Sequence, residues 1–132
     1  DLKALYNTIQ QLRNKRIMLK GMIQYLNMGT TTFNHDDFKK TNYYAIFSAC
    51  EAKEDIALLK MIKTLNPQLK AQKGKKNIGS TETFSKEKIA QLIHDQQLEA
   101  NKFDAMLSKF NTDAIIEIDD TISDNFKEEL AA

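Results

Sequence analysis

Tryptophan is absent, cysteine and proline occur once each, and glycine occurs only four times in 132 residues. The single cysteine, Cys50, excludes an intrachain disulfide, and its place in the apolar stretch 45–52 makes it a small packed hydrophobe rather than a reactive thiol. An unpaired cysteine suits a reducing compartment, the cytoplasm or one like it. Scarce glycine and proline, with no Asn-Gly or Asp-Gly pair, argue against a sheet, whose hairpins need such residues. No run of about 18 apolar residues is present to cross a membrane. The N-terminus lacks the charged, apolar and small-residue order of a signal peptide, so a soluble domain is expected. The chain starts at Asp1 rather than Met, which leaves room for a parent protein and for a targeting signal already removed.

What is present is a globular balance of 42% apolar and 28% charged residues, which excludes a chain disordered throughout. A chain of this length forms one domain and buries roughly two thirds of its unfolded surface. Leu2, Leu5, Ile9, Leu12, Leu19, Ile23 and Leu26 fall on the a and d positions of a heptad interrupted once, at Arg16, and predict a first helix over 2–28. Met18, Met22 and Tyr25 widen that stripe, and Gly29 with Thr30–Thr32 ends the helix. Asn34, with Asp37 three residues on, is the N-cap of a second helix over 35–65, closed by Asn66-Pro67. Its core stripe is Phe38, Ala45, Ala49, Ala52, Ile56, Leu59 and Ile62, and its alanines let a neighbour approach closely.

Residues 66–84 hold Pro67, Gly74 and Gly79 among lysines and read as a long loop. Ser85 caps a third helix over 85–110, with Ile89, Leu92, Ile93, Gln96, Ala100, Phe103, Leu107 and Phe110 inward. A fourth helix over 113–130 turns Ile115, Ile118, Ile122 and Phe126 inward. The expected fold is all-α, an up-down-up-down four-helix bundle with a long lysine-rich loop between helices 2 and 3.

Charge of one sign is missing from each end. From Leu2 through His35 there is no acid, against Lys3, Arg13, Lys15, Arg16 and Lys20; from Asp113 onward seven acids face Lys127 alone. Such complementarity favours placing the first helix beside the fourth.

Catalytic and metal-binding patterns are wanting. A carboxylate-bridged di-iron bundle needs two Glu-x-x-His pairs. Only His35 and His94 occur, and the residue three before His94 is Gln91. Glu51 and Glu54 are expected to be solvated, because alanines own the inward face of their helix. No nucleophile elbow, Cys-His signature or phosphate loop is present. Neither a catalytic residue, a cofactor nor a metal is assigned, and an enzyme is not expected.

Three groups of residues are candidates for function. Arg16 breaks an apolar seam at mid-helix, level with Gln96 and Glu99 of the third helix, and the three would form a buried polar layer that fixes alignment. The competing reading lays the Arg16 stem on the core and carries its head to water. Lys70, Lys73, Lys75 and Lys76 form a basic loop suited to an anion, either an acidic membrane lipid or nucleic acid, or simply to solvent. Tyr43, Tyr44 and Phe47, with Met18, Met22 and Met28, exceed the one stripe per helix that a bundle requires. They line a groove for a protein partner, a homodimer interface or a thick core. The leading expectation is a non-enzymatic helical protein-interaction module, a domain of a larger adaptor, effector or regulatory protein; anion binding through the lysine loop is the alternative.

Overall fold

A computed structural model describes residues 2–65, 84–118 and Glu129, and these are all-helical with no strand. Three long helices, α1 (Leu2–Asn27), α3 (Asn42–Leu65) and α4 (Lys86–Asp113), accompany the single turn α2 (His35–Phe38). Each boundary has a local cause. At the end of α1 the Thr30 amide reaches the Tyr25 carbonyl and the Gly29 amide the Leu26 carbonyl, both at 3.0 Å. That Schellman closure needs a left-handed residue, and Gly29 supplies it with φ +82°. Asn34 caps α2 by accepting from the Asp37 amide at 3.0 Å, and Ser85 caps α4 by accepting from the Lys88 amide at 3.1 Å.

The helix expected over 35–65 is broken at 39–41. There Thr41 Oγ1 donates to the Phe38 carbonyl at 2.7 Å and accepts from the Tyr44 amide, which ends one helix and starts the next. The expected fourth helix does not begin at Asp113: α4 runs through that residue, Ala114 is extended, and 114–118 are non-helical. Its remainder, its pairing with α1 and the lysine-rich loop lie outside the described residues.

Helix α3 is the centre. Along one face Ala45 and Ala49 pack with Phe103, Ala52 and Ile56 with Ala100, and Leu59 with Ile89, so α4 runs antiparallel to α3. Three alanines on α3 and one on α4 bring the backbones close, as their spacing predicts. Lys53 ties the same pair from outside by an ion pair to Asp104 at 3.1 Å. Helix α1 lies against another face of α3, also antiparallel, with Tyr6 level with Asp55 and Lys20 level with Phe47. Helices α1 and α4 are therefore parallel to each other on either flank of α3.

Aromatic rings hold the end where α2 sits. Tyr25, Phe33, Phe38, Tyr44 and Phe103 form a chain of ring contacts with centroids 5.1 to 6.1 Å apart, centred on the fully buried Phe38. Phe38 lies flat on α1 because Gly21 has no side chain. A Cβ there would stand 2.7 Å from two carbons of the Phe38 ring.

Candidate functional site

The middle of the surface that α1 presents to α3 is polar. Tyr6 donates its phenol hydrogen to Asp55 at 2.6 Å and Gln10 donates to the other carboxylate oxygen at 2.8 Å. One turn on, Arg13 Nη1 reaches Glu51 at 2.9 Å and Glu54 at 3.2 Å. Arg16 forks onto Glu51 through Nε and Nη2 and meets Glu54 at 2.8 Å. Glu51 is 5% exposed and Asp55 1%, so Glu51, unlike Glu54, is not the solvated acid its sequence position implies. Alanines do hold the α4 side of α3, but the adjacent face, which carries Glu51 and Asp55, is covered by α1. Buried carboxylates demand partners, and α1 turns Tyr6, Gln10 and Arg13 toward them.

Electrostatics follow from that geometry. Burial works to raise the Glu51 carboxyl, but hydrogen bonds from Arg16 and Arg13 outweigh it and hold the group below its ordinary value. Burial and then the hydrogen bond to Asp55 push the Tyr6 phenol well above its usual range. The hydrogen bond to Glu51 raises Arg16 further into its charged form, against a smaller opposing effect of burial.

Beside this seam a polar cleft of about 330 Å³ separates α1 from α4, bordered by Asn14, Ser48, Gln96 and Glu99. Ser48 Oγ and Arg13 Nε are buried there without a hydrogen-bond partner among the described residues, although Arg13 Nε is 3.6 Å from Asp55. The cleft has the room and the polar partners for bridging water. Among the described residues no group of three or more His, Cys, Asp or Glu is placed to hold a metal ion. Each acid of the seam is already matched by a base or a donor, so the chemistry on view is alignment of helices.

The sequence candidates are redistributed. Arg16 is held by Glu51 and Glu54, its side chain 49% exposed, while Gln96 and Glu99 stand across the cleft on α4; the three do not share a buried layer. Tyr44 is committed to Phe38 and Phe103, Phe47 lies under the Lys20 ammonium at 5.7 Å, and Tyr43 is half-buried. Lys70, Lys73, Lys75 and Lys76 lie outside the described residues. Cys50 is exposed on α3 and not packed as expected.

The largest departure is on α1. Its inward residues are Tyr6, Arg13, Ile17 and Gly21, whereas Leu5, Leu12, Leu19, Ile23 and Leu26 are each 57 to 67% exposed. Most of the heptad stripe faces solvent, with Leu2 and Ile9 half-buried. Two arginines three residues apart on α1, opposite two glutamates three apart on α3, were the available signal for this rotation.

Comparison with known proteins adds no relative: no family model matches the chain, and no curated protein or solved structure matches it either. No described helix is long and apolar enough to cross a membrane.

Proposed function

We propose that this chain is a helical protein-interaction module, a domain of a larger adaptor, effector or regulatory protein, whose binding face is the leucine stripe of α1. One observation carries the reading: Leu5, Leu12, Leu19, Ile23 and Leu26 are exposed at heptad spacing on a helix anchored by its opposite side. Spacings of seven, then of four and three, are heptad positions, the register that another helix fills by knobs-into-holes packing. Burying each such side chain contributes about 1.5–3 kcal/mol, a strong inducement for a partner. Lys15 borders the stripe on one side and Arg16 and Lys20 on the other, so the fitting partner is an amphipathic helix with acidic flanks. A second copy suits it less well. In a parallel pair Lys15 would face Lys20 of the other chain, and like charges there oppose pairing.

The test is affinity capture from native lysate, at low and high salt, with the chain and with a Leu12→Glu, Leu19→Glu variant. The chain is expected to retain proteins that the variant loses, with retention weakened by salt and the variant's melting temperature unchanged. Identical capture by both proteins would refute the assignment.

A further inference from the structure

A second surface, adjoining the leucine stripe at Leu19, is a groove of about 620 Å³ on the flank of α1 that faces α2 and Tyr44. Ile17, Met18, Leu19, Met22 and Tyr44 make it apolar, and the exposed Lys15, Lys39 and His35 make its edge basic. Asp36 and Asp37, although close in sequence, do not line it. Methionines give such a groove an adaptable wall. Its chemistry calls for an acidic amphipathic segment.

We infer that the occupant is the chain's own C-terminal segment, Ile118–Leu130. Three observations converge on it. Ile118, Ile122, Phe126 and Leu130 recur every four residues, a spacing that aligns them on one face of any helix they form, and Asp119, Asp120, Asp124, Glu128 and Glu129 accompany them against Lys127 alone. This is the charge that the groove's edge and the acid-free stretch 2–35 lack. The segment also follows the helix whose C-terminal half packs beside the groove. Met106 and Leu107 near the end of α4 pack with the cluster that holds Tyr44, and Tyr44 is itself a wall of the groove. From there Ile115 and Ile116 lead away from α4, 89% and 83% exposed.

Direction and length agree. Because α1 and α4 are parallel, a chain returning from the end of α4 runs antiparallel to α1, passing Met22 first and then Met18. The twelve residues 119–130 would span about 18 Å as a helix, against about 12 Å between the levels of Met22 and Asn14. The inference does not depend on the leucine stripe, which adjoins the groove and shares Leu19 with it.

Engineered cysteines test it in the full chain carrying Cys50→Ala. The pair Met18→Cys with Ile122→Cys, oxidised at low micromolar concentration, is expected to give an intramolecular disulfide, seen as a faster monomer on a non-reducing gel. The reference pair Leu12→Cys with Ile122→Cys is expected to give several-fold less. Changing Asp119, Asp120 and Asp124 to Asn should lower the Met18 yield several-fold. Disulfide-linked dimers would assign the groove to a second copy and overturn the inference, as would no cross-link or equal yield at Leu12. Met22→Cys with Ile118→Cys supplies the same readout should the first pair melt early when reduced. Capture reads loss of partners on changing Leu12 and Leu19, whereas the disulfide yield reads proximity to Met18 and Met22, so the two ideas fail separately.

Discussion

Tyr6 gives its phenol hydrogen to the Asp55 carboxylate at 2.6 Å across 49 residues of sequence, and both side chains are buried. A hydrogen bond to a charged acceptor contributes about 1.5–3 kcal/mol. Tyr6→Phe keeps the ring against Phe84 and removes only that bond, so a loss of about 2 kcal/mol in denaturant unfolding is expected. The same bond sets an alkaline limb. A phenol raised above 10.0 in the folded chain stabilises it fully below that value, and this contribution is lost as pH climbs beyond it. Wild-type stability should fall above about pH 10, and Tyr6→Phe should flatten the fall. Equal slopes in the two proteins would remove Tyr6 from the account.

The acid limb belongs to Glu51. Its carboxyl is held below the ordinary value of 4.5, so its contribution is complete above that pH and disappears as pH falls through the lower folded value. Stability measured from pH 7 to pH 3 should be level and then drop. Glu51→Gln should start lower at pH 7 and drop less. Parallel curves would show that other carboxylates govern the acid transition.

Arg13 and Arg16 share acceptors but not burial, and the difference is measurable. The Arg13 side chain is 12% exposed and Arg16 49%. Arg13→Leu leaves Glu51 and Asp55 short of a buried partner and should cost about 3 kcal/mol, the lower end for a broken buried pair. Arg16→Leu gives up an interaction that solvent largely screens, and Glu51 retains Arg13, so a cost within about 1 kcal/mol is expected. The reverse order in a chemical melt would place the principal ion pair at Arg16.

Gly21 offers a sign test. Glycine to alanine inside an exposed helix stabilises by about 1 kcal/mol through propensity. At Gly21 the new methyl would meet the Phe38 ring, and Phe33, Tyr25 and Tyr44 leave that ring nowhere to go. Gly21→Ala should therefore destabilise, by about 1–3 kcal/mol. Adding Phe38→Leu should make the second change cheaper than in the wild-type background, a coupling that a double-mutant cycle reads directly.

Apolar period made two of the three long helices legible. The stripes of α3 and α4 are buried where the spacing of Ala45, Ala49, Ala52, Ile56 and Leu59, and of Ile89, Ala100 and Phe103, puts them. The N-caps Asn34 and Ser85 were equally readable, because a cap is a local event. Helix α1 was misread in orientation although its limits were right. Its leucines form the stronger stripe, but the rule that such a stripe turns inward yields where a neighbour buries acids. Glu51 and Asp55 cannot be left unpaired, and only the opposite side of α1 supplies Tyr6, Gln10 and Arg13. The break at Thr41 was hidden for a related reason, since a threonine can sit within a helix or cap one, and the surrounding packing decides.

The two flanks of α3 are joined by different forces, and this makes the molecule separable by choice of solvent. Sodium chloride screens the exposed Arg16–Glu54 contact and leaves alanine and phenylalanine packing intact, so rising ionic strength should loosen α1 before the α3–α4 hairpin feels it. The helix that displays the leucines would then be the one whose attachment the ionic milieu tunes, coupling display of that stripe to the salt around it.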